Sequence, residues 1–465
     1  VRRFILSSYR FYTIARCLAC FAGALALIFF DSDALAETYT VNNNGDPARG
    51  TSANCAPANA TTCTLRDAIA AATSGSDTIS FIEDMAITVG STLQLDKSVT
   101  IDATDRAVAV DGNHSVEVFA VNFGSTVQMT ALTIQNGYAS EGVYGNEGGG
   151  ISVYGVLTLT NCTLSGNGAL AAGGAIFIWN GQVNLINSVL SDNASVQGGA
   201  IQNQGTLNSI HSKLLGNTGL VGGAIINVGV LNLTDSTLSG NSAVDPVSHG
   251  GQGGGIFNAG WPVTLINSTV SENSADQGGG IFDDDSGTVI LTNSTVSGNH
   301  ATTLAGGILT VGQYSVTLTN STVSGNTAAI GSGIYTQMDS VILINSIVGD
   351  GCGGEGFPDD LGGNLDSGTS CGLSAATSKS NASLNLGPLQ YNGGPTQTML
   401  PGPSSAAINF TVCTSAPLTD QRGYSRPDPA SVGLSTPCDA GAVEVDSVLS
   451  DRIFSDGFGP PPVHK

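Results

Sequence analysis

From residue 92 to residue 348 apolar and polar positions alternate in short runs, each closed by glycine or asparagine. AIFIW (175–179), VNLIN (183–187) and SVLS (188–191) follow one another within a single unit. Period-two alternation sends every second side chain to one face, the pattern of strands buried on one side. No run in this stretch keeps helical spacing long enough to form a helix.

The runs recur as a phrase. VTLTNSTVSGNTA (316–328) has near copies in VILTNSTVSGNHA (289–301) and VTLINSTVSENSA (263–275). The central polar residue recurs as Asn161, Asn187, His211, Asp235, Asn267, Asn293, Asn320 and Asn345, at steps of 24 to 32 residues. Six positions later stand Asn167, Asn193, Asn217, Asn241, Asn273, Asn299 and Asn326. Glycine phrases such as GGAIF (173–177) and GGGIF (253–257 and 278–282) separate the copies. A unit this short cannot bury its own apolar face, so it must stack on its neighbours. Successive turns of one coil, with parallel strands one above another, meet that demand. The expected fold is all-β, a single-stranded parallel β-helix.

Stacking sets like side chains one strand spacing apart, ~4.8 Å. A column such as Val183, Val263, Val289 and Val316 then fills the bore, each fully buried side chain contributing about 1.5–3 kcal/mol. A buried polar group without a partner costs about 1–3 kcal/mol. An asparagine ladder removes that cost, because each amide donates to the next rung and accepts from the one before. Weaker alternations, TLQLDKSVTIDAT (92–104), VAVDGN (108–113), VEVFAV (116–121) and VQMTALTIQNG (127–137), extend the coil to eleven or twelve rungs. That is a rod roughly 55 Å long. Its open end needs a lid. Thr64-Leu65-Arg66-Asp67 is a capping box opening a short helix over Thr64–Ala72, with Gly75 as its stop. It is expected over the N-terminal mouth.

Residues 1–36 stand apart. Arg2, Arg3, Arg10 and Arg16 precede the apolar run CLACFAGALALIFF (17–30), and Ala34-Leu35-Ala36 offers a cleavage site. The run is short for a membrane span, which needs roughly 20 apolar residues, so export is expected and no transmembrane helix in the mature chain. Removing four arginines and two aspartates takes the net charge from −22 to −24. Phosphate backbones and anionic membranes need clustered cations, which this sequence lacks, so nucleic acid is excluded as a partner class.

Seven cysteines remain after residue 36. Proximity in sequence pairs Cys55 with Cys63, Cys352 with Cys371 and Cys413 with Cys438, as fits an oxidising compartment. Cys162 replaces the serine of sister copies and reads as structural, since no basic residue lies nearby to lower its pKa.

YTVNNNGD (39–46), CTLRDAI (63–69) and DTISF (77–81) resemble the CSLREA domain, a bacterial module found ahead of β-helices. The repeats are similar to polymorphic-membrane-protein repeats, and that resemblance implies a right-handed coil. LGPL (386–389), NGGPTQT (392–398), TDQRGYSRP (419–427) and CDAGAVE (438–444) resemble the choice-of-anchor Q domain. Together they imply a bacterial protein, secreted or held on the cell surface or outer envelope, with architecture and address but no defined activity. The organisation expected is a signal peptide (1–36), a CSLREA-like cap (37–87), β-helix repeats (88–348), a Gly/Ser/Cys-rich connection (349–383), a choice-of-anchor Q-like domain (384–446) and a flexible tail (447–465).

Parallel β-helices also host polysaccharide lyases and glycosidases, and fold alone decides nothing. A lyase on acidic glycans needs a basic side chain, yet between Arg106 and Arg422 only Lys213 and Lys379 occur, histidines aside. A glycosidase needs two carboxyls about 5–9.5 Å apart. Asp283, Asp284 and Asp285, with Asp276 near, form the best acidic cluster, and Asp283 and Asp285 share a face if the strand continues there. DDDSG reads first as a solvated turn. Acidic loops also supply oxygen ligands, so calcium is the one cofactor to weigh, at Asp283–Asp285.

His249 lies in an inserted loop, SAVDPVSHGGQ (242–252), and reads as exposed. His211 stands in an asparagine position of the repeat. Trp179 and Trp261 follow glycine-rich strands and offer faces for sugars, against a plainer reading as rim packing. Arg66, Arg422 and Arg426 read as charge-paired structural residues, with Asp77, Asp420, Asp439 or Glu444 as partners. The expected role is adhesin-like and structural, with a glycan or protein partner at a cell surface. A polysaccharide-active enzyme, glycosidase before lyase, is the alternative.

Overall fold

The computed structural model describes residues 36–55, 62–73, 75, 77–140, 146–245, 247–248, 250–285, 287–312, 316–337, 341–413, 416–427 and 436–445, with the Asp285 side chain excepted. The export segment, His249 and the tail 447–465 lie outside the described residues.

The chain winds as a right-handed parallel β-helix. A 22-stranded sheet, a 12-stranded sheet and two short sheets of three and four strands make its sides. Each turn sends two strands to the long sheet, as Ile256–Asn258 and Val263–Ile266 do, or one bent strand such as Ile176–Ile186. The expected valine column is continuous: Leu157, Val183, Leu207, Leu231, Val263, Val289, Val316 and Val341 pair in register. The isoleucine that closes each glycine phrase forms a second column, from Ile151 through Ile176, Ile201, Ile225, Ile256, Ile281 and Ile308 to Ile334. Both columns are buried in the bore.

The asparagine ladder runs through all seven residues. Asn241 Nδ2 donates to Asn273 Oδ1 at 2.8 Å, and the same step repeats from Asn167 to Asn326. Its last amide donates to Asp350, an end that has only to accept. The series from Asn161 to Asn345 does something else. Every member has φ between 45° and 55°, so it supplies the left-handed turn out of the long sheet. His211 belongs to that turn series, and its Nε2 lies 3.4 Å from Asp235 Oδ2. Next to it runs a serine ladder that was not foreseen. The backbone N–H of Ser188 donates to Ser212 Oγ, and the pattern continues through Ser236, Ser268, Ser294 and Ser321 to Ser346.

Glycine pairs make the sharpest corner. Gly198 has φ of 63°, and a methyl group on Gly199 would sit 2.2 Å from the carbonyl oxygen of Gly223 on the next rung. Only glycine lets successive turns close to that distance.

The coil is longer than the sequence boundaries implied. Thr38–Val41 pairs with Thr78–Phe81 and Met85–Thr88 with Val108–Asp111, so the segment taken as a cap already contributes rungs. Cys352–Gly354 and Leu365–Asp366 likewise continue the coil through the segment taken as a connection. The helix Leu65–Ala71 begins at the capping box of Thr64 and Asp67, and buries Leu65, Ala68 and Ile69 in the core that holds Leu93. Disulfides join Cys55 to Cys63, Cys352 to Cys371 and Cys413 to Cys438.

The C-terminal segment folds back onto the flank of the coil. Gln421 accepts from the Thr295 hydroxyl at 2.6 Å and donates to the Thr269 hydroxyl at 2.9 Å. The Ala442 N–H donates to the Thr322 hydroxyl, and the Thr411 hydroxyl to Asn345. Thr269, Thr295 and Thr322 point out of the bore yet are buried, because this segment covers the 12-stranded sheet there. Asp420 clamps its own loop, accepting from the Arg422 guanidinium and from the N–H groups of Arg422, Tyr424 and Glu444.

Candidate functional site

With one flank covered, the second column of the long sheet is the broad open side. Nine consecutive strands, from Thr126–Thr130 to Val341–Ile344, present it. Their outward positions hold threonine, asparagine, glutamine, valine and isoleucine and no charged residue, and every one is at least partly exposed. In a chain of net charge −22 that is a marked local departure. At the strand spacing the face is roughly 40 Å by 15 Å, or about 600 Å². Specific interfaces use about 600–1,000 Å² per partner, so the face reaches the lower end of binding size.

Part of the face is held rigid by its own hydrogen bonds. Asn232 donates to Asn208 and Asn208 to Asn184, each at 2.9 Å, and Asn184 donates to the Thr158 hydroxyl. Side chains already ordered lose little rotamer entropy when a ligand arrives.

An aromatic ridge borders this face at the corner between the two strands of each turn. Phe123, Tyr154 and Trp179 lie at that corner on three consecutive rungs, and Trp261 lies at it three rungs further on but two positions nearer the second strand, in the column of Gly181. Phe123 is 63% exposed, Trp179 44% and Trp261 49%, whereas Tyr154 is buried beneath Phe123 with ring centroids 5.2 Å apart. Trp179 leans on buried Phe177 and stands on the same strand as Gln182 and Asn184, so ridge and face adjoin. The two tryptophans stand out in the sequence, whereas Phe123 and Tyr154 carry no such signal.

The acidic triplet lies on the continuation of this corner. Ile281–Asp285 is a strand paired with Ile308–Gly312, so the residues expected in a solvated turn belong to the sheet. Asp283 stacks on Asn258 in register and is buried. Its Oδ1 accepts from Asn258 Nδ2 at 2.7 Å and terminates an amide series that starts at Asn203 and Asn227. A ladder end has no further amide to supply, and a carboxylate, which only accepts, fits it. Asp276 is drawn elsewhere. It is buried and accepts from the Asp245 and Gly251 N–H groups, tying down the inserted loop. Among the described residues no group of three or more His, Cys, Asp or Glu is placed to hold a metal ion.

The arginines act inside the structure. Arg66 pairs with Asp46, Nε to Oδ1 at 2.6 Å, and not with Asp77, which instead accepts from Glu37 and Thr73. Arg422 pairs with Asp420 and Arg426 with Glu444. Lys213 lies over the Tyr391 ring of the C-terminal segment, 5.8 Å from its centroid. Burial pushes the Cys162 thiol up to about 11, the opposite of a reactive thiol, and its Sγ donates to backbone carbonyls of Met129 and Thr160. Burial likewise pushes Glu117 up to about 7, against the opposing bonds from Ser152 and Thr92.

The sequence matches no family model. It matches no curated protein either. Among solved structures it is similar to pectate lyase Pel9A, with 15% identity and a TM-score of 0.38 over 88% of this chain and 96% of that one. It is also similar to Jun a 1, the major allergen from cedar pollen, with 16% identity and a TM-score of 0.26 over 67% and 78% of the two chains. At these values nothing about chemistry carries over from either protein.

Proposed function

We propose that this chain is an exported, adhesin-like β-solenoid that works by binding, either released or on a cell surface, with the open side of its long sheet as the contact area. One observation carries the reading: a rigid, uncharged face of binding size on an otherwise acidic rod. Three disulfides support an oxidising compartment. The CSLREA and choice-of-anchor Q resemblances agree with a surface or secreted address. The acidic surface opposes nucleic acid and other polyanions as partners.

The test is attachment. The mature chain is expected in the envelope or medium fraction and bound to isolated envelope material. Thr264→Glu with Thr317→Glu places two charges on the face, and attachment should fall at least tenfold. Undiminished attachment of a folded double variant would end this reading.

A specific observation favours a second reading, a carboxylate glycosidase. The strand Ile281–Asp285 carries the acidic triplet one rung beyond Trp261, beside a surface suited to a polymer. Reducing ends released from a panel of polysaccharides, with and without calcium, would reveal turnover. Loss of that turnover in Asp283→Asn or Asp285→Asn would replace the binding reading with this one.

A further inference from the structure

We infer that the ridge and the adjoining face take an extended, neutral, β-linked polysaccharide, laid along the coil axis across Trp179 and Trp261. This rests on the open face being the contact area and names what it contacts.

Charge narrows the ligand first. The outward positions of nine strands hold no ion to pair with a sulfate, a uronate or an ammonium group, and the whole molecule carries −22. A polyanion meets repulsion at long range and no counter-charge at contact. A neutral partner meets neither obstacle.

Chemistry narrows it again. The π face of an indole is its negative side, and the C–H groups on the flat side of a pyranose ring are weakly positive, so the two stack. Trp179 and Trp261 are about half exposed at one corner, three rungs or ~14 Å apart along the coil axis and two positions out of register along the chain, a diagonal span that a short extended oligosaccharide bridges. Between and beside them, asparagine amides and threonine hydroxyls offer both donors and acceptors, matching hydroxyl groups that do both. Each ladder amide spends one N–H on its neighbour and retains a second.

Shape supplies the linkage. Diequatorial β-1,4 linkages give a flat ribbon that can lie along the coil axis on a flat sheet, whereas the α-1,4 linkages of starch wind away from it. A folded protein partner would be held through an interface core rich in aromatic residues and arginine, and the outward positions of the nine strands carry neither.

Affinity electrophoresis and calorimetry on the full chain test this, with hydroxyethylcellulose as the neutral β-linked probe, soluble starch as the α-linked one and polygalacturonate as the acidic one. Binding is expected to hydroxyethylcellulose, with little to starch or polygalacturonate. Trp179→Ala and Trp261→Ala should each weaken it at least tenfold with the melting temperature unchanged, and Trp179→Phe should retain more binding than Trp179→Ala. Equal binding to polygalacturonate, or indifference to both tryptophan variants, overturns the inference. If envelope attachment is lost in the Thr264→Glu/Thr317→Glu variant but no neutral glycan binds, the ligand assignment falls and the contact face stands. If that variant attaches normally, both fall.

Discussion

Replacing Asn241 with alanine isolates the contribution of one rung of the ladder. Asn241 is fully buried, and its Oδ1 accepts from the backbone N–H and the side-chain Nδ2 of Asn217, both at 2.9 Å. Its Nδ2 donates to Leu214 O at 3.1 Å and to Asn273 Oδ1 at 2.8 Å. Asn273 Oδ1 keeps a partner in the variant, because the Asn241 backbone N–H also donates to it. The Asn217 backbone N–H and one N–H of its side-chain amide are left unpaired, while the Leu214 carbonyl keeps its place in the parallel ladder. At about 1–3 kcal/mol for each buried orphan the loss is roughly 2–6 kcal/mol. Urea unfolding followed by circular dichroism measures it, and hydrogen exchange should speed up first at Asn217 and its neighbours. Asn241→Asp separates donation from acceptance. A carboxylate still accepts from Asn217 but meets the Asn273 oxygen with no proton, so the variant should be weak at pH 7 and recover on acidification as the protonated acid donates. An Asn241→Ala loss below about 1 kcal/mol, or an aspartate variant stable at neutral pH, would refute the ladder as a source of stability.

Arg422→Ala leaves buried Asp420 without its guanidinium and should cost about 3–5 kcal/mol; an unchanged melting temperature would show the pair to be dispensable. Glu117→Gln tests the buried acid. A folded-state value of about 7 against an ordinary 4.5 means the native protein holds the proton more tightly. The stability from that proton is therefore complete below pH 4.5 and lost as pH rises toward 7, by up to about 3 kcal/mol. The glutamine variant should melt higher than wild type at pH 8 and alike at pH 4, and parallel pH profiles would contradict this. Glu272 is exposed at φ of 56°, where sister phrases place Gly240 and Gly298, so Glu272→Gly should stabilise the coil by about 0.5–1 kcal/mol. Differential scanning calorimetry would register the gain, and a lower melting temperature would count against it.

The coil was legible because its signal is repetition. Val183, Val263, Val289 and Val316 announce a column, and Leu207 and Leu231 complete it. The seven-member asparagine series reads as a ladder for the same reason, since identical amides in register satisfy one another. The series beginning at Asn161 was less transparent. Asparagine favours both buried ladders and left-handed turns, and only backbone geometry separates Asn167 from Asn161. Phe123 and Tyr154 were missed at the corner because the aromatic positions share no phrase, only a place in three dimensions.

Sequence alone therefore determined the period, the faces of the strands and the contents of the bore, because burial in a stacked coil depends on local alternation repeated at fixed steps. Tertiary structure decided which outward faces stay open. Thr269 and Thr317 look equivalent as letters, yet Gln421, more than 100 residues away, covers the first while the second faces solvent. It also set the partner of Arg66, the acceptor role of Asp283 at a ladder end and the placing of Trp179 and Trp261 at one corner three rungs apart. Each of these depends on residues brought together across turns, where distance along the chain carries no information about distance in space.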